Sequence, residues 1–378
     1  MQLGIQREWQ EGERRVSVVP RDLPAFVELG LDVVIEPGAG LGAGFGDDAY
    51  RDAGAHIANA PAVAASDLVV GVRGTSSNAD DAPPVRTTAG IAIAMFDPLW
   101  QPADIVEPAR NARAVLALEL VPRITRAQSM DVLSSMATVA GYEAALLGAQ
   151  RLAKMFPLMM TAAGTLAPAK VLIIGAGVAG LQAIATCRRL GAVVEAYDIR
   201  PGVSEQIRSV GGRPIALEIG APSAEGEDGY AVDAGAETVA RQQEQLAAHV
   251  ATSDVVITTA AVPGRASPML IPEKTVASMS RGSVIIDLAA ERGGNCELTR
   301  RDEEVVVDGV LVLGPTDLAS RSALHASEMF SRNVLELVKH HIVDGEVVLD
   351  VTDEITSTML VAIDGEVVHP AVRAALEV

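Results

Sequence analysis

The segment from Val171 to Asp198 contains the residues with the clearest chemistry in this chain. It reads VLIIGAGVAGLQAIATCRRLGAVVEAYD: an apolar run, a glycine turn, a helical stretch and a second apolar run that ends in a carboxylate. Gly175 permits the tight turn, Gly177 lets the backbone approach a pyrophosphate, and Gly180 lets the helix pack closely on the sheet. Free N–H groups at the helix N-terminus would face the phosphates. The spacing predicts a dinucleotide-binding unit.

The carboxylate at the end of the second apolar run indicates which nucleotide binds. Asp198 lies eighteen residues after Gly180, where a ribose-binding acid is expected. A carboxylate accepts hydrogen bonds from ribose hydroxyls and repels a 2′-phosphate, so it favours NAD over NADP. Arg200 allows two interpretations, because it could bind a phosphate or could be solvated or paired with Asp198. The nearby acid favours the second.

Two sets of strand-like runs predict an α/β protein with two Rossmann-like parallel-sheet domains. The first set is LDVVIE, SDLVVGV, GIAIAMF and ARAVLALEL; the second is VLIIG, VVEAYD, SDVVITT, SVIIDLA and VLVLGP. Two long helical stretches, about Met130 to Phe156 and SALHASEMFSRNVLELVKHHI, would bridge the domains and leave a cleft between them. We therefore expect a discontinuous first domain, 1–130 plus 326–378, and an NAD-binding Rossmann domain, 131–325.

Composition limits the other possibilities. The 378 residues are 49% hydrophobic with positive mean hydropathy, yet no run approaches the eighteen apolar residues of a membrane span. The net charge of −19 argues against binding nucleic acid or anionic lipid. Cys187 and Cys296 form no CxxC motif or His cluster, which predicts two reduced core residues and no metal. The N-terminus lacks signal-peptide features, so we expect a cytoplasmic protein.

The stretch VPRITRAQSMDVLSSMATVAGY supplies polar groups that could hold a carboxamide. Arg123, Gln128, Asp131 and Ser134, here called the 123–134 segment, place a guanidinium, an amide, a carboxylate and a hydroxyl within twelve residues. An arginine can donate to the amide oxygen of nicotinamide, and Asp or Ser can accept from its NH2, which would orient the ring for hydride transfer. Alternatively, Asp131 and Ser134 only cap the following helix, and Arg123 pairs with Asp131.

Three further features are weaker candidates. The glycines of EPGAGLGAGF miss the GxGxxG spacing, and His56 in DAGAHIA is typical of an ordinary helix residue. The loop from Ala221 to Glu237 is long, acidic and glycine-bearing, and it contains Tyr230. Loops of this length are usually either functional or disordered, and the sequence leaves both open.

Four stretches together resemble the NAD(H)-binding component of proton-translocating nicotinamide nucleotide transhydrogenase. They are PRITRAQSMDVLSSMATVAGY, GAGVAGLQAIATCRRLGAVVEAYDIR, VITTAAVPGRASPMLI and SVIIDLAAERGGNCE, and the resemblance runs over nearly the whole chain. RVSVVP and EPGAGLGAGF are shared with the related alanine dehydrogenases and identify only the superfamily, whereas RAQSMD distinguishes the transhydrogenase component from those dehydrogenases.

The resemblance also implies site residues. The 123–134 segment would form the catalytic loop that holds the nicotinamide end of NAD(H). Tyr230 would belong to a mobile loop that folds over bound nucleotide, and Ala234 stands where the family usually has methionine, which would weaken loop closure. The cofactor-binding residues expected from the resemblance and the glycine turn are Gly175, Gly177, Val178, Gly180, Asp198, Ile199, Arg200, Tyr230, Ala260 and Ala261.

The implied activity is hydride transfer between NAD(H) on this chain and NADP(H) on a partner beta subunit, coupled to proton translocation by a membrane-spanning subunit. The chain would be nearly inactive alone, homodimeric and peripheral to the cytoplasmic membrane. The alternative is an NAD-dependent amino-acid dehydrogenase similar to alanine dehydrogenase, whose substrate-binding arginine Arg15 would match. Where that family carries its substrate lysine and catalytic histidine, this chain has Arg73 and Phe96, and transfer between two nicotinamides needs neither group.

Overall fold

The chain forms two units, which we describe separately. The computed structural model describes residues 1–74, 87–200, 202–217, 235–262 and 264–377. Unit 1 comprises Met1–Met136 and Ala319–Val378, and unit 2 comprises Ala137–Leu318. The sequence-based proposal puts the two boundaries at residues 130/131 and 325/326.

Within the described residues, elements are numbered in chain order. The strands are β1 Gln2–Ile5, β2 Asp32–Ile35, β3 His56–Ile57, β4 Leu68–Arg73, β5 Ile91–Met95, β6 Ala114–Ala117, β7 Met159–Thr161, β8 Gly164–Leu166, β9 Lys170–Ile174, β10 Val193–Tyr197, β11 Arg213–Pro214, β12 Val255–Thr258, β13 Val284–Asp287, β14 Glu304–Val307, β15 Val310–Leu313, β16 Ile342–Val343, β17 Glu346–Val347, β18 Leu360–Ile363 and β19 Glu366–Val367. The α-helices are α1 Leu23–Glu28, α2 Asp47–Asp52, α3 Ala60–Ala64, α4 Val106–Asn111, α5 Val132–Arg151, α6 Val178–Arg189, α7 Val203–Ser209, α8 Gly235–Ala251, α9 Glu273–Val276, α10 Leu318–Arg321, α11 Ala323–His341, α12 Glu354–Met359 and α13 Pro370–Leu376.

Unit 1 is built on an eight-stranded sheet in the order β19-β18-β6-β5-β4-β1-β2-β3. Strands β1 to β6 pair in parallel, and β18 joins β6 in the antiparallel sense, so the C-terminal part of the chain completes the sheet. Strand order reverses between β1 and β4. Sequence patterns did not predict β1, and His56 was expected in a helix but lies in the edge strand β3, 3.7 Å from Asp32.

Unit 2 contains a seven-stranded sheet in the order β11-β10-β9-β12-β13-β15-β14, in which only β14 is antiparallel to its neighbour. In the apolar run of β9, Val171 and Ile173 pack in one core with α5 and α6, whereas Leu172 and Ile174 pack in a second core with α8. Burial on both faces explains why this run is continuously apolar. The predicted α/β class with Rossmann-like sheets is confirmed.

The long helix expected from Met130 to Phe156 is α5, and the unit boundary falls within it. In the parts of the chain that the structure describes, α5 is the one helix long and apolar enough to cross a membrane. This corrects the expectation that no stretch approaches the eighteen apolar residues of a membrane span. Its Ala144 and Ala145 are fully buried in the core of unit 2. A Cβ at Gly141 would collide with the carbonyl oxygen of Ala179, so α5 packs tightly against α6. These are the contacts of a core helix.

Candidate nucleotide-binding site

The glycine turn of unit 2 lies at the carboxyl end of β9, where the strand order reverses and such sheets bind ligands. Gly175 has a φ of 95°, which favours glycine, and a Cβ there would lie 2.6 Å from the Thr259 hydroxyl oxygen. A Cβ at Gly180 would collide with the Gly175 carbonyl oxygen, so α6 sits directly on the turn. Gly177, the N-cap of α6, faces open space. This geometry leaves room for a phosphate at the helix N-terminus.

Asp198 ties this turn to the end of β10. Its Oδ2 accepts a hydrogen bond from the Ala176 N–H at 2.7 Å. Arg200 donates to Oδ1 from its backbone N–H (2.9 Å) and Nε (3.0 Å), and to Oδ2 from Nη2 (2.9 Å). A carboxylate offers about four acceptor positions, and these bonds fill them. Arg200 is therefore paired with Asp198, the interpretation that the sequence favoured.

The end of β12 completes this edge of the sheet. The Thr259 hydroxyl donates to the Gly175 carbonyl at 2.9 Å, joining the two strand ends. Ala260 and Ile199 pack against the same core, whereas Ala261 and the side chain of Val178 are exposed. The structure thus gathers the predicted glycines, Val178, Asp198, Ile199, Arg200, Ala260 and Ala261 at one edge of unit 2. Tyr230 and Ala234 lie outside the described residues.

Two further residues help to build this edge, and the sequence reasoning missed both. Asn295 bonds to the backbone of Ala260, and Asp287 holds the backbone N–H of Asn295. A strand-end carboxylate in VIID followed by GGN was the signal that could have found them. Buried Gln242 also donates to the Tyr197 hydroxyl at 2.8 Å. Burial raises the pKa of Tyr197 to about 12, so this phenol stays neutral beside Asp198.

The 123–134 segment lies in unit 1, where a 3-10 turn, Thr125–Met130, leads into α5. Asp131 accepts from the Ser134 N–H at 2.9 Å and from the Ser134 hydroxyl at 2.5 Å, so the capping interaction weighed from the sequence is present. The side chains of Arg123 and Gln128 are exposed. The segment therefore combines a capped, rigid end with two exposed polar groups that could contact a ligand.

The C-terminal part of unit 1 holds the 123–134 segment in place. Asn333 of α11 donates from Nδ2 to the Ser129 carbonyl at 2.7 Å. Arg126 lies 2.6 Å from the carboxylate of Asp353, which also caps α12. Desolvation raises the pKa of Asp353, but hydrogen bonds from His340, the Thr356 N–H and Arg126 outweigh it and keep that pKa below its usual value, so the ion pair with Arg126 persists at neutral pH.

Comparison with known proteins agrees with this geometry. Models of the alanine dehydrogenase/PNT family match residues 4–140 with the N-terminal domain and 144–370 with the C-terminal domain. A component of the NAD(P) transhydrogenase alpha subunit of Rhodospirillum rubrum is 42% identical over 379 residues, which cover 98% of each chain. This chain belongs to the NAD(P) transhydrogenase alpha-subunit family.

Two further matches compare this chain with a transhydrogenase and with an alanine dehydrogenase. The crystal structure of transhydrogenase from Sinorhizobium meliloti has a TM-score of 0.86 and 39% identity, and the match covers 97% of this chain and 100% of that one. "Alanine dehydrogenase 2" of Staphylococcus aureus is 30% identical over 79% of this chain and 74% of its own. Alanine dehydrogenase is thus the more distant relative, and the transhydrogenase resemblance seen in the sequence is confirmed.

In this transhydrogenase family member, Arg15 occupies a buried ionic cluster where the strand order of unit 1 reverses. Glu13 accepts from the Arg15 Nε at 2.7 Å and Nη2 at 2.5 Å, and the Nε of Arg73 lies 3.5 Å away. Glu13 is desolvated, but the charge and hydrogen bonds of Arg15 lower its pKa to about 2. Glu8 accepts from the backbone N–H groups of Val72 and Arg73, while burial and the charge of Glu13 raise its pKa to about 7.

The other glycine-rich loop of the chain, EPGAGLGAGF, has a packing role. A Cβ at Gly40 would lie 2.6 Å from the Tyr50 ring, and one at Gly42 would lie 2.7 Å from the Arg14 carbonyl oxygen. Tyr50 is fully buried and donates to the Val18 carbonyl at 2.9 Å. These glycines therefore allow close packing inside unit 1.

The two cysteines are free and fully buried, as expected from the sequence. Burial raises the pKa of Cys187 to about 12 and that of Cys296 to about 11, so both remain protonated thiols. Among the described residues no group of His, Cys, Asp and Glu side chains is arranged to hold a metal ion.

Proposed function

We propose that this chain is the NAD(H)-binding component of a proton-translocating transhydrogenase, and that it exchanges hydride between NAD(H) bound here and NADP(H) bound by a partner subunit. The observation that carries this proposal is the edge of unit 2 where Gly177 faces open space at the start of α6 and Asp198 lies beside it. Bound NAD(H) supplies the hydride chemistry, and the chain binds and orients it.

The choice of NAD(H) over NADP(H) rests on Asp198. The carboxylate is held by the Ala176 N–H, so it stays at the turn in a defined orientation. Ribose hydroxyls would donate to it in place of the Arg200 side chain, whereas a 2′-phosphate would be repelled. In this proposal the pocket around the nucleotide is shaped by Gly175, Gly180, Val178, Ile199, Ala260 and Ala261.

The 123–134 segment is proposed to orient the nicotinamide ring. Arg123 would donate to the carboxamide oxygen, and Gln128 is exposed for a similar contact. Asp131 and Ser134 are joined to each other, and the Asp131 carboxylate offers acceptor positions beyond these two bonds for the carboxamide NH2. Direct hydride transfer requires orientation of two rings rather than an acid or a base.

The buried cluster of unit 1 argues against an amino-acid dehydrogenase. Arg15 is 3% exposed and its Nε and Nη2 both bond to Glu13, so that edge of the guanidinium is occupied by an internal carboxylate. Phe96 is fully buried and cannot transfer a proton. Because Arg73 and Phe96 stand where alanine dehydrogenases carry their lysine and histidine, oxidation of an amino acid lacks its base.

The Rhodospirillum rubrum relative is named as one portion of an alpha subunit, and is therefore one component of a larger enzyme. We propose corresponding partners for this chain: an NADP(H)-binding beta subunit and a membrane-spanning subunit that couples hydride transfer to proton translocation. The chain would then lie on the cytoplasmic side of the membrane, attached through these partners.

We also propose a homodimer formed through the β7–β8 hairpin of unit 2. Met155, Leu158, Met160 and Leu166, on or beside this hairpin, are 50%, 56%, 79% and 50% exposed. Exposed apolar side chains grouped in this way are typical of a protein interface. Met160→Lys should yield a monomer in analytical ultracentrifugation, and Val306→Lys, at another exposed apolar residue of unit 2 (66% exposed), should leave the dimer intact. A dimer that survives Met160→Lys and Leu158→Lys together would place the interface elsewhere.

The decisive experiment mixes this chain with an NADP(H)-binding transhydrogenase component and follows reduction of an NAD analogue by NADPH. We expect turnover well above that of either component alone. The chain by itself should not reduce NAD+ with L-alanine. No turnover in the mixture would refute the proposal, and NAD+ reduction with alanine would favour a dehydrogenase instead.

A further inference from the structure

The loop after β13 is held by a buried carboxylate. Asp287, the last residue of β13, is fully buried. Its Oδ2 accepts from the backbone N–H groups of Asn295 (2.6 Å) and Cys296 (3.0 Å) and from the Thr299 hydroxyl (2.7 Å), and its Oδ1 accepts from the Thr258 hydroxyl at 2.9 Å. A buried carboxylate with donors on both oxygens is fixed in position. It therefore secures the loop against the carboxyl ends of β12 and β13.

Asn295 connects this loop to the nucleotide edge. It is fully buried; its Oδ1 accepts from the Ala260 N–H at 3.1 Å, and its Nδ2 donates to the carbonyls of Ala260 (2.8 Å) and Pro268 (2.9 Å). A single side chain thus binds both the N–H and the C=O of Ala260. The preceding residue, Thr259, donates to the Gly175 carbonyl. The backbone beside the glycine turn is therefore fixed from two sides.

We propose that Asn295 is a positioning residue for nucleotide binding, which holds Ala260 and Ala261 in the conformation that contacts NAD(H). This inference rests on the proposed function. Ala260 follows the end of β12, so side-chain hydrogen bonds stand in for strand pairing there. Without Asn295 the segment can relax, and part of the binding energy must be used to order it.

The test replaces Asn295 with alanine and compares the variant with Ser283→Ala. Ser283 is also buried in unit 2, and its hydroxyl donates to the Ser253 carbonyl at 3.3 Å, at the amino ends of β12 and β13. Asn295→Ala loses buried hydrogen bonds beyond the carboxyl ends of β12 and β13 and Ser283→Ala loses one at their amino ends, so Asn295 is the one of the two that touches the nucleotide edge. We expect Asn295→Ala to raise the NADH dissociation constant about tenfold and Ser283→Ala to change it less than about twofold.

A second variant covers the case in which Asn295→Ala does not fold. Asn295→Asp keeps an acceptor for the Ala260 N–H but loses both donors, so it should weaken NADH binding by roughly three- to tenfold. NADH affinity within about twofold of wild type in the folded Asn295 variants, or equal weakening in Ser283→Ala, would overturn the positioning role. A wild-type chain that binds no NADH would instead refute the proposed function.

Discussion

Replacing Asp198 with alanine is expected to remove most of the discrimination between NADH and NADPH. The Asp198 side chain is 7% exposed and pairs with Arg200, whose side chain is 16% exposed, so the two charges interact largely away from water. The substitution removes the anion and releases the guanidinium from it. A 2′-phosphate would then approach a cation where it previously met a carboxylate.

The size of the effect follows from the charges involved. Two unit charges about 4 Å apart interact by about 4 kcal/mol at an effective dielectric constant of about 20. In the wild type the guanidinium of Arg200 offsets part of this repulsion, which leaves about 2–3 kcal/mol, or roughly 30- to 150-fold in NADPH affinity. Loss of a charged acceptor for the ribose costs about 1.5 kcal/mol, or roughly tenfold in NADH affinity. The affinity ratio should therefore shift by about 10³-fold.

Fluorescence titration of NADH and NADPH against wild type, Asp198→Ala, Arg200→Ala and the double variant measures these quantities. The double variant should bind NADPH more weakly than Asp198→Ala, because it lacks the released guanidinium, but more tightly than wild type, because the carboxylate is gone. Arg200→Ala alone should keep the preference for NADH, since Asp198 still holds the Ala176 N–H. An NADH to NADPH affinity ratio that stays within about threefold of wild type in folded Asp198→Ala would refute the assigned role.

Two other predictions concern unit 1. Arg123→Ala should slow hydride transfer to the NADP(H) component at least about tenfold while changing NADH affinity less than about threefold, because the proposed role is ring orientation. Stopped-flow measurement of the transfer rate tests this, and the control is Arg21→Ala, at an exposed arginine 3.4 Å from Glu328. A transfer rate in Arg123→Ala equal to that of wild type would show that Arg123 does not belong to the site. Burial and the Glu13 charge raise the pKa of Glu8 from 4.5 to about 7, so the stability that Glu8 contributes is complete below pH 4.5 and is lost as the pH rises through 7. Glu8→Gln should remove on the order of 1–3 kcal/mol of this pH dependence, measured as unfolding free energy between pH 5 and pH 8, and an unchanged profile would show that Glu8 does not titrate in this range.

The sheet of unit 2 could be read from the sequence because its signals are local. Runs such as VLII are buried on both faces, and the glycine turn follows at fixed spacing. The pairing of Arg200 with Asp198 is also local, since the residues are two positions apart. In contrast, β1 follows directly on the first residue of the chain and has only QLGI to mark it, and the antiparallel return of β18 depends on the completed sheet.

The candidate site was predictable where one element supplies the residues and not where a loop returns to it. Before Asn295 can reach Ala260, the chain is reversed by a 3-10 turn, Ala290–Arg292, and by two glycines with positive φ. No fixed spacing relates residues 260 and 295, so hydrophobic periodicity could not connect them. Similarly, the anchoring of Ser129 by Asn333 joins residues that are 204 positions apart.

Packing contacts alone give a structural role to Arg15, the residue through which the sequence resembles the substrate-binding arginine of alanine dehydrogenases. Arg15 lies where the strand order of unit 1 reverses, a place where ligands usually bind. Glu13, two positions before Arg15, is its local partner, and Glu13 in turn accepts a hydrogen bond from the Ser320 hydroxyl at 2.8 Å. Ser320 also accepts from the Arg14 N–H, so the buried pair joins the N-terminal loop to the returning C-terminal part of the chain. Removing one partner of a buried pair typically costs about 3–5 kcal/mol, so the stability of unit 1 is by itself a sufficient reason for an arginine at position 15.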